Sequence, residues 1–227
     1  MSFTSKLIVI SVVTGFGTGV AAQTPSPDLT QYLIADRAAE VVLARSAAPR
    51  RISDSATVLV LTREGFVEAV RGTNGFVCLV HRAFAGPLTD VPSWSNTRIR
   101  APHCLNAAAV RSVLPEMKER ASLMMSGVPV KDIVARISRD YATRKFAAPE
   151  SGAMAYMMSH DQYLNDDNPS WKPHVMFYYG GARNPSEWGA GGFDAPIIDG
   201  GSEKAAGINI ILIPVPEWSD GTPFKGR

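Results

Sequence analysis

Side chains that could bind a metal ion lie close together in one stretch of the sequence. His160 ends a predicted strand at 153–160, and Asp161 follows it directly. His174 begins the next predicted strand, at 173–179. If these two strands pair as a hairpin, both imidazole rings reach the same end of the sheet, and two imidazoles with a carboxylate suit a divalent metal such as zinc. Because the spacing matches no established ligand motif, histidines bonded only to backbone or water are the alternative.

Sulfur ligands are also abundant near these histidines in the sequence. The methionines concerned are Met154, Met157, Met158 and Met176. Thioether and imidazole groups together suit copper. Methionine is also an ordinary core residue that fills irregular gaps, and the core interpretation explains these four residues without a metal.

Aromatic side chains mark a second candidate region. A segment rich in glycine and proline, 180–207, carries Trp188, and Trp218 follows a predicted last strand at 208–215. Loops of this length are uncommon in compact domains and are frequently functional. Because aromatic rings stack on apolar faces, this segment, with Trp188 as the binding residue, is a candidate lid or a platform for a carbohydrate or peptide. The alternative is that both tryptophans anchor the loop onto the sheet.

Motifs for nucleophilic catalysis or nucleotide binding are absent from the sequence. It contains no GxSxG, no SxxK after residue 22, no GxGxxG and no phosphate-binding GKS or GKT. The formal net charge is only +2, which gives no electrostatic signal for nucleic acid or an anionic membrane. Whether the protein is an enzyme stays open at this point.

The N-terminus predicts export. A positive side chain, an apolar run from Leu7 to Val20 and the small residues before Gln23 form the three parts of a secretory signal. We therefore predict a signal peptide at 1–22 and a periplasmic or secreted mature protein, 23–227. The apolar run is shorter than the roughly 20 residues that a membrane span needs. An uncleaved N-terminal anchor is the alternative.

Two cysteines, Cys78 and Cys104, remain after the signal. In an oxidising compartment an isolated pair most simply forms one disulfide. Two buried thiols are the alternative.

The strongest structural pattern lies at 56–82, which predicts three strands joined by two tight turns. Asn74-Gly75 is the preferred dipeptide of a short hairpin turn. The segment 83–103, with three prolines, is predicted to be an irregular surface loop. Helical periodicity covers 33–47, 107–125 (interrupted at Pro115) and 130–143. We predict a single α+β domain, with an antiparallel sheet of five to six strands and helices packed on it.

Five short segments resemble a group of uncharacterised exported bacterial proteins that have no assigned function. They are ARSAAP (44–49), GTNGFVCLV (72–80), WKPHVMFYY (171–179), SEWGA (186–190) and EWSDGT (217–222). The segments are spread over most of the mature chain. The resemblance therefore implies export and one shared domain, and it implies no activity.

Three functional hypotheses follow. The first is a non-catalytic exported domain that binds a small molecule or a partner protein through loops at one end of the sheet. The second is a metal-binding protein or metal-dependent hydrolase that uses His160, His174 and Asp161; apart from this metal, no cofactor is predicted. The third is a structural protein of the cell envelope. None of them involves nucleic acid or a membrane span in the mature chain.

Overall fold

One mixed β-sheet forms the centre of the molecule. The computed structural model describes residues 28–166, 171–181, 184–203 and 207–225, so the predicted signal peptide lies outside the described residues. Within these ranges the sheet has eight strands in the order β2-β1-β3-β4-β5-β6-β8-β7. The strands are β1 (Thr57–Thr62), β2 (Gly65–Val70), β3 (Val77–His81), β4 (Ala101–Leu105), β5 (Met154–Met157), β6 (His174–Gly180), β7 (Ile198–Glu203) and β8 (Ile208–Pro214).

The prediction of an antiparallel sheet of five to six strands is wrong in two respects, since the sheet has eight strands and is mixed. The strands β1 and β2 form the expected hairpin, but β3 pairs with the other side of β1 and runs parallel to it. The Asn74-Gly75 turn therefore does not close a second hairpin. Instead, Thr73 N donates to Ser55 O and Asn74 Nδ2 donates to Ile52 O, which carries the chain past the end of β1.

Two strands were not predicted. The strand β4 lies in the middle of the sheet, within and just beyond the segment expected to be a surface loop, and β7 lies in the glycine-rich segment. Proline usually argues against an inner strand because it lacks a backbone donor. Here Pro102 pairs only with Val80 of β3, because the contact of β4 with β5 is confined to Cys104 and Leu105.

The helices predicted over 33–47, 107–125 and 130–143 are present with adjusted ends, and a short helix after Pro49 was not predicted. They are α1 (Arg37–Arg45), α2 (Arg50–Ser53), α3 (Ala107–Ser112), α4 (Leu114–Met125) and α5 (Val130–Ala142). Asp36 caps α1 by accepting from the backbone of Ala38, so the helix begins four residues later than predicted. The expected interruption near Pro115 is confirmed, because α3 stops before Val113 and the proline lies in the first turn of α4.

The sheet buries a different set of residues on each face, because side chains alternate along a strand. Helix α1 covers one face, here called the α1 face, over a cluster that includes Val58, Val80 and the two cysteines. The predicted disulfide is confirmed: Cys78 and Cys104 are paired across β3 and β4 and bonded to each other. The opposite face, the α4 face, packs against α3, α4 and α5 in the larger core.

No helix in the described part of the chain is long and apolar enough to cross a membrane.

Candidate functional site

Three buried histidines lie on the α4 face, on three different strands. In the register of the sheet, Leu79 pairs with His103 and Met157 pairs with His174. His81 follows Leu79 by two residues and therefore shares its face. Since Cys104 pairs with Tyr156, His103 lies beside Met157. The sheet thus brings His81, His103 and His174 to one region, and all three are buried.

A cavity of about 500 Å³ opens beside two of these rings. We call it the histidine cavity. Its floor is the α4 face of the sheet, and its other wall comes from the segment 82–99 together with part of α4 and Leu164. The side chains that matter for its chemistry are His81, His103, Tyr178, Met117, Met157 and Met176.

The wall of the cavity is held in place by Trp94, which is almost completely buried. Tyr32 Oη donates to the Trp94 carbonyl at 2.7 Å, and Trp94 Nε1 donates to the Pro87 carbonyl at 3.2 Å. The guanidinium of Arg120 lies 5.4 Å from the centre of the indole ring and donates to Gly86 O at 2.7 Å. These contacts make the wall a fixed part of the fold.

The three imidazoles differ in their hydrogen bonds. His103 Nδ1 lies 3.0 Å from Ala101 O, and His174 Nδ1 lies 2.8 Å from Lys172 O. A carbonyl oxygen only accepts, so Nδ1 carries the proton in both rings. His81 is different, because its buried Nδ1 has no hydrogen-bond partner among the described residues. Its ring meets that of His103 edge to face, with 4.4 Å between the ring centres.

Burial keeps all three histidines neutral. It lowers the pKa of His103 to about 4 and the pKa of His174 to about 4. Burial also holds the pKa of His81 well below its usual range, and the neighbouring His103, Arg120 and Arg82 lower it further. The histidine cavity therefore presents uncharged imidazole rings at neutral pH.

Two arginines next to the cavity are already neutralised. Arg82 Nη2 lies 2.7 Å from Glu40 Oε1, and the two side chains are 0% and 1% exposed. Arg82 also donates to the carbonyls of Tyr32 and Val80. Arg120 Nε lies 2.6 Å from Glu116 Oε1, and that pair is also buried.

The residues predicted to hold a metal are not gathered at one point. His160 is exposed, stacks on Trp218 with 4.2 Å between ring centres, and bonds through Nε2 to Thr222 Oγ1. His174 is buried, and its ring lies against Trp171. Asp161 is exposed, and its backbone N–H donates to the side chain of Ser159. In the described ranges there is no group of three or more His, Cys, Asp or Glu residues that could hold a metal ion.

Trp188, the predicted binding residue, lines a second cavity of about 490 Å³, on the α1 face of β6 and β8. We call it the aromatic pocket. Its main side chains are Phe177, Tyr179, Trp188, Ile211 and Glu150. The rings of Trp188 and Tyr179 are 4.4 Å apart, and the buried Tyr179 hydroxyl has no partner among the described residues. Trp188 is 39% exposed, so part of its ring is accessible.

Sequence reasoning assigned no role to His81 or His103. His103 lies in the segment predicted to be a loop, and His81 was treated as a strand residue. The two cysteines are the sequence feature from which the position of His103 follows. If the disulfide joins neighbouring antiparallel strands, as Cys78 and Cys104 do, His103 must lie opposite Leu79 and on the same face as His81.

No family model matches this chain, and no curated protein or solved structure is significantly similar to it. The chemistry of the site is therefore read from its own geometry. The histidine cavity offers a partly open, mostly apolar space with two neutral imidazoles on its floor.

Proposed function

We propose that this protein is a non-catalytic binding domain that holds a small neutral molecule in the histidine cavity. One observation carries the proposal: a cavity of about 500 Å³ has a mainly apolar lining, with buried polar side chains on its floor and solvent-exposed ones such as Asp90 and Asn165 in its other wall. Sites for small molecules in proteins have volumes of about 300–1,000 Å³ and this same mixture of lining residues. The methionines supply apolar surface that adapts to the shape of a ligand.

A catalytic role for these histidines is disfavoured by their surroundings. A general base works best when its pKa lies near the working pH, whereas burial lowers the pKa of His103 to about 4. A catalytic histidine is also typically oriented by a carboxylate. His103 and His174 are oriented by backbone carbonyls instead.

Export is part of the same proposal. The predicted signal at 1–22 directs the chain out of the cytoplasm into an oxidising compartment. A disulfide such as Cys78–Cys104 is stable in that compartment. The resemblance to exported bacterial proteins points in the same direction. In this setting the protein would bind its ligand in the periplasm or outside the cell.

A cavity-filling variant tests the proposal. The probe is N-phenyl-1-naphthylamine, a neutral dye whose fluorescence rises in apolar surroundings. Ala85 lines the cavity, so Ala85→Trp should fill it and weaken binding of the dye at least about tenfold, which corresponds to about 1.4 kcal/mol. Ala142→Trp, on the exposed surface of α5, is the matched control and should bind like the wild type. Equal binding by both variants would overturn the proposal.

The aromatic pocket is a second candidate for the binding site. The observation that favours it is the buried Tyr179 hydroxyl without a partner among the described residues, next to the accessible Trp188 ring. Trp188→Ala separates the two candidates. If it removes binding of the dye while Ala85→Trp does not, the ligand belongs in the aromatic pocket.

The two other hypotheses have direct tests of their own. Metal analysis of protein purified without a histidine tag decides whether any ion is bound. Pull-down experiments from envelope extracts decide whether a structural partner is held. His160 bonds to Thr222, whereas the His174 ring lies against Trp171. In a metal-dependent hydrolase both rings would have to leave these contacts and approach one metal ion.

A further inference from the structure

The imidazole of His81 is a buried polar group of the histidine cavity that indicates which ligand the cavity takes. The side chain is 4% exposed, and its buried Nδ1 has no hydrogen-bond partner in the part of the chain that the structure describes. A buried polar atom without a partner costs about 1–3 kcal/mol. Because Nδ1 itself has almost no accessible surface, a ligand group in the cavity removes this cost when the His81 ring, which lines the cavity, turns Nδ1 toward it.

The surroundings of His81 fix the charge of such a group. The ring is neutral and lies between His103 and Phe66, whose ring centre is 6.3 Å away. The nearest cations, Arg82 and Arg120, are each bonded to a glutamate and to backbone carbonyls. An anionic ligand would lose its hydration without gaining an unpaired cation, and a cationic ligand would meet these two guanidinium groups. The carboxylate of Asp90 also lines the cavity, but it is exposed to solvent.

The apolar lining fixes the rest of the ligand. Met117, Met157 and Met176 all line the cavity, together with Ile99 and Ile210. Thioether sulfur makes favourable contacts with aromatic rings, and the unbranched methionine side chain adapts to a flat surface. A lining of this kind suits a planar ring system better than a flexible polar chain.

We propose that the histidine cavity binds a neutral aromatic compound that carries a hydroxyl group, and that this hydroxyl bonds to the His81 ring. A hydroxyl is suited to either tautomer of His81, because it both donates and accepts, whereas a carboxylate only accepts. The aromatic part lies against the methionines. The inference rests on the proposed function, and it names the chemical class of the ligand.

Three probes of the same shape test the inference: 2-naphthol, naphthalene and 2-naphthoate. Their affinities are measured by displacement of N-phenyl-1-naphthylamine from the full mature protein. We expect 2-naphthol to bind about tenfold more tightly than naphthalene, the gain of one hydrogen bond made in a buried site. We expect 2-naphthoate to bind more weakly than both, because its charge must be desolvated.

Variants at His81 locate the effect. His81→Leu should remove the preference for 2-naphthol over naphthalene and leave the binding of naphthalene nearly unchanged. His160→Leu, at an exposed histidine that bonds to Thr222 and does not line the cavity, should keep the tenfold preference. If His81→Leu does not fold, His81→Phe, which keeps a flat ring and removes both nitrogens, serves instead.

The outcomes separate this inference from the function on which it rests. Equal affinity of 2-naphthol and naphthalene for the wild type, with both lost in Ala85→Trp, overturns the hydroxyl-aromatic inference and leaves the binding function standing. Binding of none of the three probes, or binding that Ala85→Trp leaves intact, overturns both. A preference that survives in His81→Leu or His81→Phe contradicts the role of His81.

Discussion

The histidine cavity and the aromatic pocket are nearly equal in volume, about 500 and about 490 Å³, yet they are built in opposite ways. The histidine cavity places fully buried polar side chains against the α4 face. The aromatic pocket places partly exposed rings on the α1 face. Their ion pairs differ in the same way. Next to the histidine cavity, the side chains of Arg82 and Glu40 are 0% and 1% exposed. Next to the aromatic pocket, the side chains of Arg111 and Glu150 are 60% and 42% exposed.

This difference shows which of the two regions makes folding less favourable. Burying neutral histidines and an ion pair is less favourable than packing apolar side chains of similar volume. A core selected for stability alone has no need of imidazoles at positions 81 and 103. The aromatic pocket has no such desolvation cost, because its charges remain in contact with water. We therefore infer that the histidine cavity is the functional region.

The largest expected effect concerns the two ion pairs. Glu40→Ala leaves Arg82 charged and buried without its partner, and should lower the free energy of unfolding by about 3–5 kcal/mol. Glu150→Ala breaks an exposed pair and should lower it by less than about 1 kcal/mol. Urea denaturation measures both. Similar losses in the two variants would remove the contrast between the regions.

The disulfide provides the next contrast, because it joins β3 and β4, the strands that carry His81 and His103. Its removal in the double variant Cys78→Ala/Cys104→Ala should cost about 3–4 kcal/mol, as expected for a closed loop of this length. Hydrogen exchange should accelerate more in β3 and β4 than in β6 and β8. In the wild type, the oxidised protein should be about 2 Da lighter than the reduced one, since disulfide formation removes two hydrogens. Two freely alkylatable thiols in the native protein would contradict the assignment.

As the pH falls, the region of the histidine cavity should lose stability at a higher pH than the region of the aromatic pocket. An unfolded histidine has a pKa of about 6.5, whereas burial lowers the pKa of His103 and of His174 to about 4 in the fold. Between these values the unfolded state binds protons that the folded state does not, so stability is lost as the pH falls from about 6.5 to about 4. Each histidine contributes at most roughly 3 kcal/mol.

The variant His174→Phe should weaken this pH dependence, because His81 and His103 remain, and Trp188→Ala, which removes no titratable group, should leave it unchanged. The difference is best measured between pH 6.5 and 5.5, above most of the range in which carboxyl groups titrate. The measurement is urea denaturation at several pH values. A stability that stays constant from pH 7 to 4.5 would show that the three buried histidines are not held neutral by the fold.

The smallest effect is expected in the aromatic pocket. Trp188→Ala removes a ring that is 39% exposed and should change the free energy of unfolding by less than about 1 kcal/mol. It should also leave the melting shift induced by 2-naphthol intact. Loss of that shift in Trp188→Ala, measured beside Ala85→Trp, would move the binding site to the aromatic pocket.

How far the sequence predicts this molecule depends on whether the controlling contacts are local. The strand β1 and the break near Pro115 follow from short-range patterns, and these predictions are confirmed. The parallel pairing of β3 with β1 depends on where the chain passes after Asn74, which the turn residues do not encode.

The site was harder to predict than the fold for the same reason. His81 and His103 are separated by 22 positions in the sequence and meet only through the pairing of β3 with β4. Because the prolines of the segment 83–103 argue against a strand, β4 was not predicted, and neither was the position of His103 on it. Trp188, by contrast, was predicted from a local signal, and it does line a pocket.

The most direct test of the central claim is a titration of the wild-type protein with 2-naphthol, followed by NMR of the histidine ring nitrogens. We expect a saturable shift of the His81 nitrogens, with the nitrogens of His160 and the indole N–H of Trp188 unchanged. Saturable binding that shifts the Trp188 indole and leaves His81 unaffected would contradict it.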